Sequence, residues 1–88
     1  MARTSHKHPA QVTLGERIRA HRAKLGISQM VLAERIGLHF SFVSETERGM
    51  RNLSLSSLLV IAEGLEINPA VLVDGLTWNA TPSVPADA

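Results

Sequence analysis

The glycines at positions 26, 37 and 49 constrain this chain more than any other feature. They cut its middle into segments with room for short helices and little else. Ser28 is placed to cap a helix over Gln29–Ile36, with Leu32, Ala33 and Ile36 on its buried face. Gly37 ends that helix by supplying the positive φ that redirects the chain. A further helix runs from Phe40 to about Arg48, with Val43 inward and Gly49 as its stop. Upstream, Thr13-Leu14-Gly15-Glu16 reads as a capping box, so the first helix is expected to start at Thr13. Its inner face is Leu14, Ile18 and Leu25, and Gly26 ends it. Downstream, Ser54 caps a fourth helix carrying Leu55, Leu58, Leu59 and Ala62, closed by Gly64. Asn68-Pro69 is an N-cap with a proline at the first helical position, opening a brief fifth helix that Gly75 ends. No stretch alternates as a strand does. The expectation is an all-α, compact bundle of five short helices over residues 13–76, between a basic N-terminal arm (1–12) and a loose C-terminal tail (77–88).

With 88 residues the chain holds one domain, and its core must be aliphatic because it has two Phe, one Trp and no Tyr. The absence of cysteine excludes disulfides and Cys-ligated zinc. No apolar run approaches the ~18 residues of a membrane span, and MARTSHKHPAQ lacks the apolar region of a signal peptide. A cytoplasmic location, with no membrane partner, is expected. Net charge is only +1, but all nine Lys and Arg fall within residues 1–52. Set against four acids there, they give +5; residues 53–88 carry four acids and no base, giving −4. A basic half joined to an acidic half points to a polyanion partner, or else to a solvated helix surface whose asymmetry means nothing.

The informative stretch is Gln29–Gly49: two helices joined by a turn too short for antiparallel packing. Small Ala33 allows close approach, and Leu32, Ile36, Leu38 and Val43 close the angle between the helices. Phe40, Ser41, Ser44 and Glu45 are then left facing outward, with Arg48 at the end. A protruding helix with short polar groups suits a major groove about 12 Å wide.

These residues resemble the Cro/repressor-type (XRE-like) helix-turn-helix family. The match rests on Arg22 with Gly26-Ile27-Ser28-Gln29, on Leu32-Ala33 with Ile36-Gly37, and on Val43-Ser44 with Glu47-Arg48-Gly49. E-R-G-M-R-N-L-S-L-S-S-L, running on into I-A-E-G-L-E, is similar to the small dimeric controller proteins of restriction–modification systems. The resemblance implies a lambda repressor-like fold and a sequence-specific regulator of transcription, a repressor or controller, that binds double-stranded DNA as a homodimer on an inverted repeat. It implies that Gln29, beside the Ser28 cap, contacts a phosphate and braces the recognition helix. Ser41, Ser44 and Glu45 fall at its base-facing positions, and Arg48, Arg51 and Asn52 in its phosphate-binding loop. Arg22 and Glu47 match its ion pair between the first helix and the end of the recognition helix. Thr46 departs from the family's usual Leu or Ile; it is expected to bond a carbonyl of its own helix.

Several positions stay open at this level. Glu45 either accepts from cytosine N4 or pairs with Arg48. Phe40 either touches a thymine methyl or folds back on Leu38. Phe42 either packs against the start of the second helix or lies along the sugar–phosphate edge. His6-x-His8 has metal-ligand types but no third ligand nearby, so no metal or cofactor is expected. The arm that holds this pair also carries Arg3 and Lys7 and is suited to tracking DNA. His21 reads as a half-exposed packing residue. No nucleophile, zinc or P-loop motif supports an enzyme. The fourth and fifth helices carry more apolar residues than so small a domain needs inside, which places a dimer interface at Val71, Leu72, Leu76 and Trp78; the alternative is that Trp78 folds back on its own subunit. The rival function is an antitoxin-type module whose main partner is a toxin, with DNA binding for autoregulation.

Overall fold

The computed structural model describes residues 7–78, and within them the chain forms five helices: α1 (Pro9–Leu25), α2 (Gln29–Ile36), α3 (Phe40–Glu47), α4 (Leu55–Gly64) and α5 (Pro69–Val73). A side chain caps the N-terminus of each one: His8, Ser28, His39, Ser54 and Asn68 accept from backbone N–H groups that have no partner inside the helix. Residues 13–18 lie within the first helix rather than at its start. Pro9 occupies the first helical position, where a missing N–H costs nothing. His8 Nδ1 accepts from Ala10 N at 3.0 Å, and Gln11 Oε1 accepts from His8 N at 3.1 Å. That reciprocal cap precedes Thr13 and makes a cap there unnecessary. Residues 1–6 of the expected arm, His6 of the histidine pair and residues 79–88 of the tail lie outside the described residues.

The core is Ile18, Leu32, Ala33, Val43, Ile61, Ala62, Leu65 and Leu72, with Leu14, Leu25, Ile36, Phe42 and Leu58 packed around it. On α4 and its C-cap the inward residues Leu58, Ile61, Ala62 and Leu65 follow helical spacing, which turns Leu55 (70% exposed) and Leu59 out to the surface, in line with the apolar surplus expected on this helix. Gly64 is the last residue of α4, as expected, and an added Cβ there would stand 2.5 Å from Ile36 Cγ2, so it also allows close approach to α2. The chain turns at Glu66, which has φ 61°. Arg35 of α2 closes that end by donating to the Gly64 carbonyl (3.0 Å) and pairing with the Glu66 carboxylate (3.2 Å).

Leu72 is fully buried at the α1–α4–α5 junction. Arg17 of α1 holds this helix from outside, donating to the Leu72 and Asp74 carbonyls at 3.2 and 2.7 Å. Leu72 therefore belongs to the protomer's own core and not to a dimer interface. Gly15, in mid-α1, lies so near the end of α3 that a Cβ would stand 2.5 Å from the Thr46 carbonyl oxygen. The backbone of α1 is thus flush against α3, and the direction of α3 is set by that contact.

Candidate nucleic-acid interface

Beyond the Gly15 contact, α3 is held by one buried carboxylate. Glu47, whose side chain is 2% exposed, receives the Arg22 guanidinium from α1 at 2.7 Å (Nε to Oε2) and 3.0 Å (Nη2 to Oε1). Gln29 Nε2, from the first turn of α2, donates to Glu47 Oε1 at 2.9 Å. Arg22 Nη1 also donates to the Ile27 carbonyl at 2.9 Å, pinning the α1–α2 turn. The hydrogen bonds that Arg22 donates to Glu47, opposed by burial and aided by the carboxylate's charge, raise the Arg22 pKa above its already high ordinary value. Three elements thus meet at one carboxylate, and the fork geometry fixes angles as well as distances. The expected ion pair is present, and Gln29 braces α3 directly.

Held this way, α3 turns Val43, Thr46 and Glu47 inward and leaves Phe40, Ser41 and Arg48 exposed, with Ser44 and Glu45 half-buried along the same outer side. Phe40 lines an open cleft of about 510 Å³ that also takes in Arg19, Ser28, Met30 and Arg48. Arg19 and Met30 were not singled out from the sequence, although Arg19 lies three residues before Arg22 and so on its helix face.

Glu45 and Thr46 depart from expectation. Glu45 pairs with Arg51 (Oε1 to Nε, 3.0 Å) and not with Arg48, which instead contacts Met50 Sδ at 3.3 Å. Arg51 lies 4.9 Å above the Phe42 ring, and that ring's other contacts are with the core, so Phe42 is a packing residue under a cation rather than a free edge. Asn52 is exposed in the same loop. Thr46 is buried, but its Oγ1 has no partner among the described residues; the expected carbonyl bond does not form.

At the opposite end, Val71 and Trp78 are exposed and Leu76 is half-buried. Leu55, Leu58, Val73, Leu76 and Trp78 share an apolar groove of about 210 Å³ with Leu14 of α1. Trp78 stacks on His8 of its own chain, centroids 3.4 Å apart and planes within 8°. His8 thus serves as a helix cap and a stacking partner. Among the described residues no cluster of three metal-ligand side chains occurs, and no helix is long and apolar enough to cross a membrane. His21 is half-buried on α1.

Residues 18–72 match the family described as Helix-turn-helix. The chain is 40% identical over 52 residues to the control protein C.SmaI of Serratia marcescens, a match spanning 59% of this chain and 62% of that one, so it covers less than two thirds of that relative. It superposes on the crystal structure of the restriction–modification controller protein C.AhdI from Aeromonas hydrophila with TM-score 0.69 and 44% identity, covering 70% of this chain and 94% of the other. It also superposes on the controller protein C.Esp1396I, crystallised as a tetramer with its natural 35 base-pair operator (TM-score 0.68, 31% identity, 73% and 84% covered).

Proposed function

The chain belongs to the Cro/repressor-type helix-turn-helix family, and on that premise we propose that it is a sequence-specific regulator of transcription that binds double-stranded DNA as a homodimer on an inverted repeat. The observation that carries this reading is the mounting of α3: its inner side is locked by the Glu47 network while its outer side presents Phe40, Ser41 and Ser44. A helix used as a reading head must be rigid where it joins the protein and polar where it meets base edges. Arg48, Arg51 and Asn52 follow α3 directly and supply contacts to the flanking phosphates, while Gln29 with the Ser28-capped start of α2 supplies another. The charge asymmetry agrees, because the basic half contains the whole reading unit and the acidic half carries α4 and α5.

The exposed apolar positions away from α3 support the dimer. Val71, Leu76 and Trp78, with Leu55 and Val73, form the self-complementary surface in this reading, and Leu72 lies beneath it. Two-fold pairing there sets two copies of α3 about one helical turn, ~34 Å, apart. The tetramer of C.Esp1396I in complex with its operator is a precedent for binding DNA as an oligomer. The test is a nuclease footprint on DNA upstream of the protein's own coding sequence. Protection of two symmetric half-sites is expected; no protection at micromolar protein, where DNA of any sequence competes equally, overturns the reading.

A further inference from the structure

From the first turn of α3 we infer that His39 fixes which bases Ser41 accepts, by holding the serine's proton. The inference rests on the proposed insertion of α3 into the major groove. His39 is the N-cap of α3, and its Nδ1 lies 3.2 Å from the Ser41 backbone N and 3.0 Å from Ser41 Oγ. A backbone N–H only donates, so in this bond Nδ1 presents its lone pair and the ring proton sits on Nε2. Ser41 Oγ, at 3.0 Å from that same lone pair, is favourably placed only if its own hydrogen points at Nδ1. Oxygen lone pairs facing a nitrogen lone pair at this distance repel. The hydroxyl proton is therefore committed inside the protein, and Ser41 faces outward with lone pairs alone.

This changes what the serine reads. A free hydroxyl rotates to donate or accept and so discriminates poorly between bases. An oxygen that can only accept requires a donor opposite. In the major groove those donors are the exocyclic amines, adenine N6 and cytosine N4, whereas guanine O6 and thymine O4 are acceptors that repel it. His39 is thus a positioning residue: it touches no base in this account and acts through Ser41. Both side chains are exposed on α3's leading end, where nothing else needs the pairing for packing.

The test is binding selection from randomised duplexes with the full chain, its Ser41→Ala, His39→Asn and His39→Gly variants. Asn retains a side-chain acceptor at the cap. Gly removes it yet remains a tolerated N-cap, so the helix persists, which far-UV circular dichroism verifies. The parent and His39→Asn are expected to prefer an amine-bearing base at one position per half-site by about three- to tenfold, the worth of one hydrogen bond. His39→Gly is expected to lose that preference at that position alone, and Ser41→Ala to lose it at the same position. If His39→Gly selects the parental base there, or His39→Asn loses it as Gly does, the inference is overturned while sequence-specific binding stands. If the parent selects no sequence at all, the DNA-reading account fails and this inference fails with it.

Discussion

Glu47→Leu removes the one group that Arg22 and Gln29 share, and the structure sets the size of the effect. The Glu47 side chain is 2% exposed and that of Arg22 15%, so the guanidinium left behind has little access to water. Among the described residues its remaining partner is the Ile27 carbonyl, and the Gln29 amide loses the Glu47 acceptor. Stranding a buried charge costs roughly 3–5 kcal/mol; because Arg22 keeps a margin of solvent, about 3 kcal/mol is expected. A chain of this size has roughly 4–13 kcal/mol in all, so the variant stays folded only marginally. With a urea slope near 1 kcal/mol per molar, the lower end for a small domain, the midpoint falls by about 3 M. The double variant Arg22→Met/Glu47→Leu removes both charges and is expected to return to within about 1 kcal/mol of the parent, since apolar replacements of such pairs are near neutral. Its DNA affinity is not expected to return in full, because the contact at Gly15 remains but the hydrogen-bonded fork that joins α3 to both α1 and α2 is gone. A loss below about 1 kcal/mol in the single variant, or parental DNA binding by the double one, would refute the claim that this carboxylate mounts the recognition helix.

Thr46→Val replaces a buried hydroxyl that has no partner among the described residues with a methyl of like size, and a gain of about 1 kcal/mol is expected. That raises Tm by about 4–8 °C; a fall would mean that the hydroxyl is satisfied. Gly15→Ala puts a Cβ against the Thr46 and Glu47 carbonyls and is expected to cost more than about 2 kcal/mol with weaker DNA binding; an unchanged thermal melt contradicts the close approach of α1 to α3. Val71→Glu is expected to give a folded monomer by sedimentation, whereas Leu72→Glu, with its charge inside the core, is expected to leave no cooperative unfolding transition. Equal behaviour of these two variants would contradict the division between surface and core on α5.

The helices that the sequence announces best are those whose signals are local. Ser28 and Gly37 bracket α2 as read, and Asn68-Pro69 opens α5 as read. The same proline logic applies at His8-Pro9, but histidine is not among the usual capping residues, and Thr13-x-x-Glu16 offered a more familiar signal. Gly64 and Gly37 each close an apolar helix, but only Gly37 takes a left-handed φ; the packing of Ile36 against α4, which no local signal shows, makes Gly64 a close-approach glycine as well. The Arg22–Glu47 pair was visible through the family resemblance alone, being 25 residues apart. Glu45–Arg51 spans a loop, where no periodicity applies. On α5, Val71, Leu72 and Val73 are all apolar, and a five-residue helix is too short for a pattern to show that only Leu72 points inward.

The central claim is that α3 enters the major groove of each half of a symmetric site. Methylation interference on a selected operator measures this directly, because methyl groups at guanine N7 project into the major groove and those at adenine N3 into the minor. Two patches of guanine N7 interference are expected, symmetric and about one turn apart, with adenine N3 methylation beneath them without effect. Interference from the minor groove alone, or a single patch on a symmetric site, would contradict it.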